Sequence, residues 1–436
     1  MFSPAIIHLN EDKRNYSRRQ EAGGSFILPT PHTPHPTLPF FLFPHIMPYF
    51  HPITSVYIHI PFCRRRCFYC DFPIFVVGNR TNPATFPPVV EYVEILQEEI
   101  SLSQGTGKPL ETIFFGGGTP SLLPVELLGA ILDTLAKKFD FAADIEISME
   151  IDPATFSLEQ LQGYLSAGVN RVSLGVQAFQ EPLLQVSGRS HTVKDIYQAV
   201  ELIQGLGIVN YSLDLISGLP QQTLTDWENS LEKAIKLQPA HLSCYDLVLE
   251  AVTPFGKQYQ PGKKPLPDDE TTAKMYVLAG EKLALAGYQH YEISNYAKPG
   301  YQCRHNRVYW ENRPYYGFGM GAASYLHQQR FTRPRKSRDY FAWVKEGCQI
   351  DVEKNSLIDD LLETLMLGLR LGSGVSLPAI EANFGSEIKK AILEVLEPHK
   401  QRNLVIIEGD SRVRLSDPEG FLFSNLVLTD LFDRWQ

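Results

Sequence analysis

Hydrophobic and polar positions divide residues 55–250 into two alternating kinds of segment. Short apolar, β-branched runs recur six times, separated by stretches such as VELLGAILDTLAKKF, whose apolar residues follow helical spacing. The six predicted strands are residues 55–60, 112–115, 144–150, 170–176, 209–216 and 241–249. Strands alternating with helices predict an α/β fold with a parallel sheet and right-handed crossovers. Because a complete barrel has eight such units, we expect an open, partial (β/α)6 barrel.

A different pattern begins near residue 352. The segments LIDDLLETLMLGLRL, SLPAIEANFG and SEIKKAILEVLEPHK predict three helices, and LVIIE and RVRLS flank the turn GDS as a hairpin. Three helices followed by a hairpin predict a small winged-helix-like domain. Residues 352–436 hold 9 basic and 14 acidic side chains, which favours a packing or regulatory role over DNA binding.

Proline density sets the N-terminal residues apart. Residues 28–52 contain eight prolines and four histidines, a composition that prevents a regular helix or central strand. We therefore expect a disordered extension over residues 1–50, a barrel domain with its own extension over 51–350, and the winged-helix-like domain over 351–436. A histidine-rich metal-binding tail is the alternative for the first segment. Met47 precedes the first predicted strand, so an alternative start would leave residues 1–46 untranslated.

Charge and cysteine content narrow the class of protein. A net charge of -9 argues against a nonspecific nucleic-acid binder and favours a small-molecule or protein partner. No apolar stretch approaches the roughly 20 residues that span a bilayer, and the first residues lack the pattern of a signal peptide. Six cysteines, three of them clustered, do not resemble the framework of a secreted disulfide domain. These features predict a soluble, cytoplasmic protein.

The clustered cysteines, in CRRRCFYC, directly follow the first predicted strand. Cys63, Cys67 and Cys70 therefore lie at the end of the strand where barrel enzymes place their sites. Structural zinc requires four ligands, and neither His59 nor Asp71 completes a usual zinc set. Three cysteines suit a 4Fe-4S cluster in which one iron lacks a protein ligand.

Three arginines, Arg64 to Arg66, separate the first two of these cysteines. Their positive charge is expected to lower the pKa of the thiols and to offset the charge of a cluster. A solvated loop is the competing interpretation.

Polar residues and glycines follow the next predicted strands. The run GGGTPS over residues 116–121 allows close backbone approach to a ligand, although alone it is also typical of a tight turn. Glu150, Gln177 and Asp214 lie at or near the ends of the third, fourth and fifth strands. Each alone is explained by helix capping or solvation. Together they predict a site at the top of the barrel.

CRRRCFYC after YIHIPF, followed by GGGTP, resembles the radical S-adenosylmethionine (SAM) superfamily, and in detail its branch of oxygen-independent coproporphyrinogen III dehydrogenases and their relatives. The resemblance implies that Cys63, Cys67 and Cys70 hold a 4Fe-4S cluster whose open iron is chelated by SAM. It also implies reductive cleavage of SAM, with electrons from a donor such as ferredoxin or flavodoxin. The positions that match SAM-contacting residues of the family are Tyr57, Tyr69, Gly117, Gly118, Thr119, Glu150, Gln177, Arg189 and Asp214.

Two features distinguish branches of this family. Phe72 stands where the porphyrinogen-oxidising enzymes carry a further cysteine, which counts against coproporphyrinogen dehydrogenase activity. The element HNRVYW, residues 305–310, resembles the HNxxYW element of the heme chaperones in this family. That likeness implies a protein that binds heme and transfers it to acceptor hemoproteins, such as those of a respiratory chain.

The residue types of HNRVYW permit heme binding without requiring it. His305 could ligate heme iron while Tyr309 and Trp310 pack against the porphyrin. A polar turn entering a buried aromatic strand is the competing interpretation. Cys303 is a second conceivable heme ligand, and a buried free cysteine is its plainer explanation.

Overall fold

The protein is described by a computed structural model that covers residues 52–78, 86–105, 107–352 and 354–435. The predicted extension over residues 1–50 lies outside these described residues. Strands alternate with helices through the first part of the chain, and a cluster of helices with a small sheet follows.

The strands are β1 (Ser55–Ile60), β2 (Phe62–Cys63), β3 (Phe75–Val76), β4 (Leu110–Gly117), β5 (Phe141–Ile151), β6 (Arg171–Gln177), β7 (Tyr211–Ser217), β8 (His241–Asp246), β9 (Gln289–Glu292), β10 (Asn295–Ala297), β11 (Tyr316–Phe318), β12 (Ala323–Leu326), β13 (Gln329–Thr332), β14 (Val375–Ser376), β15 (Val405–Glu408) and β16 (Arg412–Leu415).

The helices are α1 (Pro87–Leu102), α2 (Val125–Lys138), α3 (Leu158–Ser166), α4 (Glu181–Val186), α5 (Val193–Gly205), α6 (Leu224–Lys236), α7 (Pro254–Gln258), α8 (Asp269–Leu285), α9 (Arg304–Trp310), α10 (Ser337–Lys345), α11 (Leu357–Gly368), α12 (Leu377–Phe384), α13 (Ser386–Gln401), α14 (Glu419–Leu422) and α15 (Ser424–Asp433). Within the described residues, no helix combines the length and apolarity needed to cross a membrane.

The main sheet has nine strands in the order β11-β1-β4-β5-β6-β7-β8-β10-β9. Its parallel part contains all six predicted strands, and the open, partial barrel is confirmed. The sheet extends beyond the prediction at both edges: β11 pairs parallel with β1, and β10 pairs antiparallel with β8. In the described part of the chain, β11 and β9 do not pair, so the barrel stays open.

Local sequence explains why the crossover helices start where they do. Thr192 and Asp195 form a capping box at the start of α5, and Thr223 and Asp226 form another at the start of α6. All seven residues of β7 are buried, as expected for a strand covered on both faces. The parallel strands therefore point toward one end of the barrel, where their C-terminal residues lie close together.

A buried ion pair ties the added strand β11 to the barrel. Glu99 of α1 accepts hydrogen bonds from Arg333 Nε at 2.7 Å, from the Gly319 backbone at 2.8 Å and from the Tyr340 hydroxyl at 2.6 Å. The side chains of Glu99 and Arg333 are 2% and 4% exposed. The Glu99 carboxylate thus connects three parts of the chain: the segment after β11, the segment after β13, and helix α10.

The C-terminal residues have a core of their own. Helices α11, α12 and α13 pack with the three-stranded sheet β14-β16-β15 in a winged-helix-like arrangement, which confirms the expectation. Leu361, Leu377 and Ile392 are buried in this second core. Trp310, the last residue of α9, joins it. Helix α9 therefore connects the barrel to the C-terminal residues.

Candidate cluster and cofactor site

The three clustered cysteines line one cavity at the C-terminal end of β1. The backbone enters the loop through β2, and Arg189 and Thr119 border the same cavity. The Thr119 hydroxyl lies 3.6 Å from Cys63 Sγ, and Arg189 Nη1 lies 3.5 Å from Cys67 Sγ. The loop is thus surrounded by hydrogen-bond donors that point at sulfur.

Two arginines of the cysteine loop form hydrogen bonds with backbone carbonyl groups in and around it. Arg65 donates to the backbone carbonyls of Gly188 and Arg189, and Arg66 donates to those of Cys70 and Phe72. The charge of Arg66 acts in the expected direction and lowers the pKa of the Cys70 thiol, but burial has the larger effect. Burial raises the pKa of Cys63, and it raises the pKa of Cys70 to about 12 because desolvation outweighs the opposing charge of Arg66.

The residues present fit a four-iron cluster. Among the described residues, no group of three or more His, Cys, Asp or Glu side chains is arranged to hold a single metal ion. In a 4Fe-4S cluster each thiolate binds a different iron, so the three sulfurs need to surround a cavity and not one point. Cys63, Cys67 and Cys70 do surround one. Coordination would deprotonate the thiols despite their raised pKa.

Two glycines where β4 ends, Gly117 and Gly118, let the backbone pass close to this loop. Gly117 has φ +110, and a Cβ there would lie 2.4 Å from the His59 ring. A Cβ on Gly118 would lie 2.7 Å from the backbone carbon of Pro61 and 2.8 Å from the carbonyl oxygen of Phe62. Gly118 also donates a 2.8 Å hydrogen bond to the Ile60 carbonyl. Side chains are therefore excluded where β4 supports the cysteine loop.

Replacing Gly118 with alanine is expected to displace the cysteine loop, because the added methyl group meets backbone atoms that cannot rotate away. We expect a loss of about 1–3 kcal/mol in the free energy of unfolding and at least about tenfold weaker SAM binding by the reconstituted protein. Denaturant titration and calorimetry measure the two effects.

Gly129 is the matched control for this substitution. It lies in α2, and a Cβ there meets nothing within 4 Å. Gly129→Ala is expected to stabilise the helix by about 1 kcal/mol and to leave SAM binding unchanged. Equal SAM affinity in both variants would contradict the role given to Gly118.

Three polar side chains from successive strands lie beside the glycines. The Glu150 carboxylate accepts from the Gly117 backbone at 3.1 Å, and burial raises its pKa to about 7. Asp214 accepts from Ser173 Oγ at 2.9 Å and lines a cavity with Glu150. Gln177 ends β6 with φ +67, a left-handed conformation that costs energy for a residue with a side chain. The sequence prediction that these strand ends converge agrees with the geometry.

Several buried polar atoms here have no hydrogen-bond partner among the described residues. They are the Tyr69 hydroxyl, Gln177 Nε2 and Arg189 Nε. Leaving buried polar groups unpaired is costly unless a ligand or solvent satisfies them. These atoms therefore fit a polar ligand such as SAM beside the cysteine loop.

Arg189 also has a partner that sequence reasoning missed. It forms an ion pair with Asp152 and donates to the Gly175 carbonyl at 2.9 Å. Asp152 in turn accepts from Thr119 Oγ1 at 3.3 Å. The signal was present in the sequence, since Asp152 follows Glu150 by two residues and thus shares its side of the chain.

Tyr57 points into the interior of the barrel, away from the cysteine cavity. Its hydroxyl lies 3.1 Å from His59 Nδ1, and its ring stacks on Phe114. Tyr57 borders the same interior cavity as Gly117 and Glu150. The structure therefore brings Tyr57 to the inner side of the proposed SAM site, whereas Tyr69 lies on the cluster side.

His305 lies toward the end of the barrel opposite the cysteine loop, and the ring of Phe114 separates it from Tyr57. Its ring shares hydrogen bonds with Thr112 Oγ1 through Nδ1 and with the Tyr309 hydroxyl through Nε2, both at 2.8 Å, and it stacks on Phe114. His305 is completely buried, and burial lowers its pKa to about 3. Thr112 and Gly117 are five residues apart on β4, roughly 16 Å along a strand.

The segment HNRVYW forms the helix α9, so the alternative of a turn entering an aromatic strand is wrong. The Glu146 carboxylate accepts from the backbone N–H groups of Arg304 at 3.2 Å and His305 at 3.1 Å, at the start of this helix. Cys303 is 1% exposed and lies 3.7 Å from Glu146 Oε1. Glu146 is a site-positioning residue that the sequence alone did not reveal.

A partial parallel barrel, with three cysteines after β1 and with Gly117 and Gly118 (the glycine cradle) at the end of the neighbouring strand β4, defines the radical SAM class. The chain matches the radical SAM superfamily over residues 57–234 and the HemN C-terminal domain over residues 355–423. Its fold resembles that of coproporphyrinogen III oxidase (HemN) from Escherichia coli, a radical SAM enzyme. The TM-score is 0.74 over 88% of this chain and 91% of that chain, at 21% identity.

Relatives identify the family within that class. The chain is 48% identical over 397 residues to the heme chaperone HemW of Synechocystis sp., covering 87% of this chain and 96% of the relative. It is 37% identical to the heme chaperone HemW of Bacillus subtilis, covering 86% of this chain and 98% of the relative. The chain belongs to the HemW family of the radical SAM superfamily. Membership of this superfamily implies a 4Fe-4S cluster and SAM.

Proposed function

We propose that the protein is a heme chaperone: it binds heme and transfers it to acceptor hemoproteins, including those of a respiratory chain. The proposal places it in the cytoplasm, with ferredoxin or flavodoxin as electron donor to its cluster. Support comes from its similarity to HemW proteins over most of the chain. The alternative to the chaperone function is the oxidative decarboxylation of coproporphyrinogen III. The fold alone permits this second function.

The small interior of the barrel favours the chaperone. The cavity beneath the glycine cradle measures only about 80 Å³ and is bordered by Tyr57, Phe72, Phe114, Tyr309 and Tyr315. Sites for drug-sized ligands measure roughly 300–1,000 Å³. A tetrapyrrole substrate therefore cannot enter the barrel next to SAM unless these aromatic side chains move.

The proposed SAM site assigns a role to each polar group. Arg189, Gln177 and Tyr69 offer buried hydrogen-bonding atoms to the polar end of SAM. Glu150 and Asp214 accept hydrogen bonds from an ammonium or from ribose hydroxyl groups. Cys63, Cys67 and Cys70 would hold a 4Fe-4S cluster, which would supply the electron for reductive cleavage of SAM. Tyr57 and Phe114 close the inner side of the site and exclude water.

Two measurements on the same anaerobically reconstituted preparation test the function. Titration with heme should give saturable binding at one site per chain, followed by transfer to an apo-hemoprotein in a mixing experiment. With SAM and reductant, coproporphyrinogen III should not be converted at an enzymatic rate. Conversion over many turnovers would replace the chaperone with the dehydrogenase, and failure to bind heme would reject the chaperone directly.

A further inference from the structure

The availability of histidines restricts where the iron of a heme can be ligated. Seven histidines lie in the described residues, and six of them use a ring nitrogen in a hydrogen bond. These six are His59, His191, His241, His290, His305 and His399, and none is fully exposed to solvent. His305 uses both ring nitrogens. The second ring nitrogens of His290 and His399 have no partner among the described residues but are buried, so an iron ligand from this set must first break its contacts or become exposed.

His327 is the exception. It is exposed, and among the described residues its imidazole has no hydrogen bond. His327 and Gln328 form the two-residue turn between β12 and β13, with φ +51 and +63. Such a turn is normally built from asparagine and glycine, because side chains are strained at positive φ. A histidine held in this conformation without local hydrogen bonds suggests a functional reason for its position.

This turn borders a large cleft bounded by the described residues. The cleft measures about 1010 Å³ and lies between the end of the barrel where β1 and β4 begin and the C-terminal helices. The end of α9 forms one wall through Trp310, and Tyr316, Tyr325 and Phe384 add further buried aromatic surface. Its volume reaches the upper end of the range for sites of large organic ligands, whereas the barrel interior is more than tenfold smaller.

The charge of the cleft suits a dianionic ligand. Four cationic side chains line it, Lys108, Arg307, Arg313 and Arg412, against two carboxylates. Arg307 and Arg313 both pair with one of these carboxylates, Glu311. The positive excess matches the two propionates of heme, and the aromatic walls match its apolar ring.

We propose that heme binds in this cleft between the barrel and the C-terminal helices, with His327 as an axial ligand to the iron. This inference rests on the proposed heme chaperone function. His305 then has a positioning role: its hydrogen bond to Thr112 and its stacking on Phe114 fix α9 to the barrel, so that Trp310 and Arg307 reach the cleft.

His327→Asn tests the ligand without disturbing the turn, because asparagine tolerates positive φ. We expect heme binding at least about tenfold weaker than in the wild type and loss of the histidine-ligated signature in the absorption and electron paramagnetic resonance spectra. Added imidazole should restore that signature. Binding of iron-free protoporphyrin IX should be unchanged, because it contains no iron to ligate. Thr332→Ala, on an exposed position of β13 that does not line the cleft, is the matched control and should bind heme as the wild type does.

A second variant tests the cleft itself. Ala379 is exposed at the start of α12 and lines the cleft. Ala379→Trp is expected to weaken binding of both heme and protoporphyrin IX at least about tenfold, with folding checked by circular dichroism. Unchanged binding of both ligands would overturn the placement of heme in the cleft.

Other outcomes separate this inference from the function on which it rests. If wild type binds heme and His327→Asn keeps the same spectrum and affinity, the axial ligand is wrong while the chaperone stands. A full-length variant with His32, His35, His45 and His51 replaced by alanine should bind normally, and loss of the signature there would move the ligand to the proline-rich segment. Absence of heme binding by wild type would reject the function itself.

Discussion

Replacing Cys67 with serine is expected to abolish the iron-sulfur absorbance of the anaerobically reconstituted protein. The alcohol does not replace a thiolate as a cluster ligand, and two remaining cysteines leave two irons of the cluster without protein ligands. Iron content should fall from about four per chain to near background, and SAM binding should be lost with it. Iron analysis, absorption spectroscopy and calorimetry measure the three effects.

Cys348→Ser is the matched control, because Cys348 is a partly buried free cysteine outside the cysteine loop. It should retain full iron content and SAM affinity. If Cys67→Ser kept the cluster absorbance of wild type, the assignment of Cys67 as a ligand would be wrong.

Glu99→Gln, a nearly isosteric substitution in α1, is expected to cause a large loss of stability. The amide keeps the shape of the carboxylate but leaves Arg333 as a buried charge without its partner. Removing one member of a buried ion pair costs about 3–5 kcal/mol. The free energy of unfolding, measured by urea denaturation, should fall by that amount.

A double variant, Glu99→Gln with Arg333→Met, separates the loss of the ion pair from the cost of leaving Arg333 as an unpaired buried charge. It should recover at least half of the lost stability, because the buried charge is gone. Glu270→Gln is the surface control, since Glu270 and Lys274 are 79% and 59% exposed and solvent screens their interaction. A Glu99→Gln protein as stable as this control would contradict the role given to the buried pair.

Periodicity was sufficient to predict the barrel. The β-branched runs are long enough to distinguish the six central strands, and β1 has the predicted bounds, Ser55–Ile60. Strands β9, β10 and β11 have only three or four residues, so no alternation can develop in them. Their positions depend on pairing with β8 and β1, which is tertiary information.

Residue type also led to a wrong prediction of secondary structure for the segment that forms α9. Tyr309 and Trp310 have aromatic side chains typical of strands, yet the segment is helical. The helix is stabilised by contacts outside it: Glu146 accepts from its first backbone N–H groups, and Trp310 is buried among the C-terminal helices. Neither contact is local in sequence.

The candidate site was predictable where it followed strand ends. Glu150, Gln177 and the glycines after β4 lie at the end of the barrel that the strand pattern indicated. The ion pair of Arg189 with Asp152 and the hydrogen bond of Ser173 to Asp214 required coordinates, because they join different strands. The pKa of the cysteines also depended on burial, which charge counting along the loop cannot supply.

Strand β5 has a thermodynamic consequence beyond its place in the sheet. Its Glu146 holds the first turn of α9, and its Glu150, four residues and roughly 13 Å further on, borders the glycine cradle. A single rigid strand thus touches both the cofactor end of the barrel and the helix that borders the cleft. Any coupling between binding at the two ends is reciprocal: the factor by which SAM alters heme affinity must equal the factor by which heme alters SAM affinity.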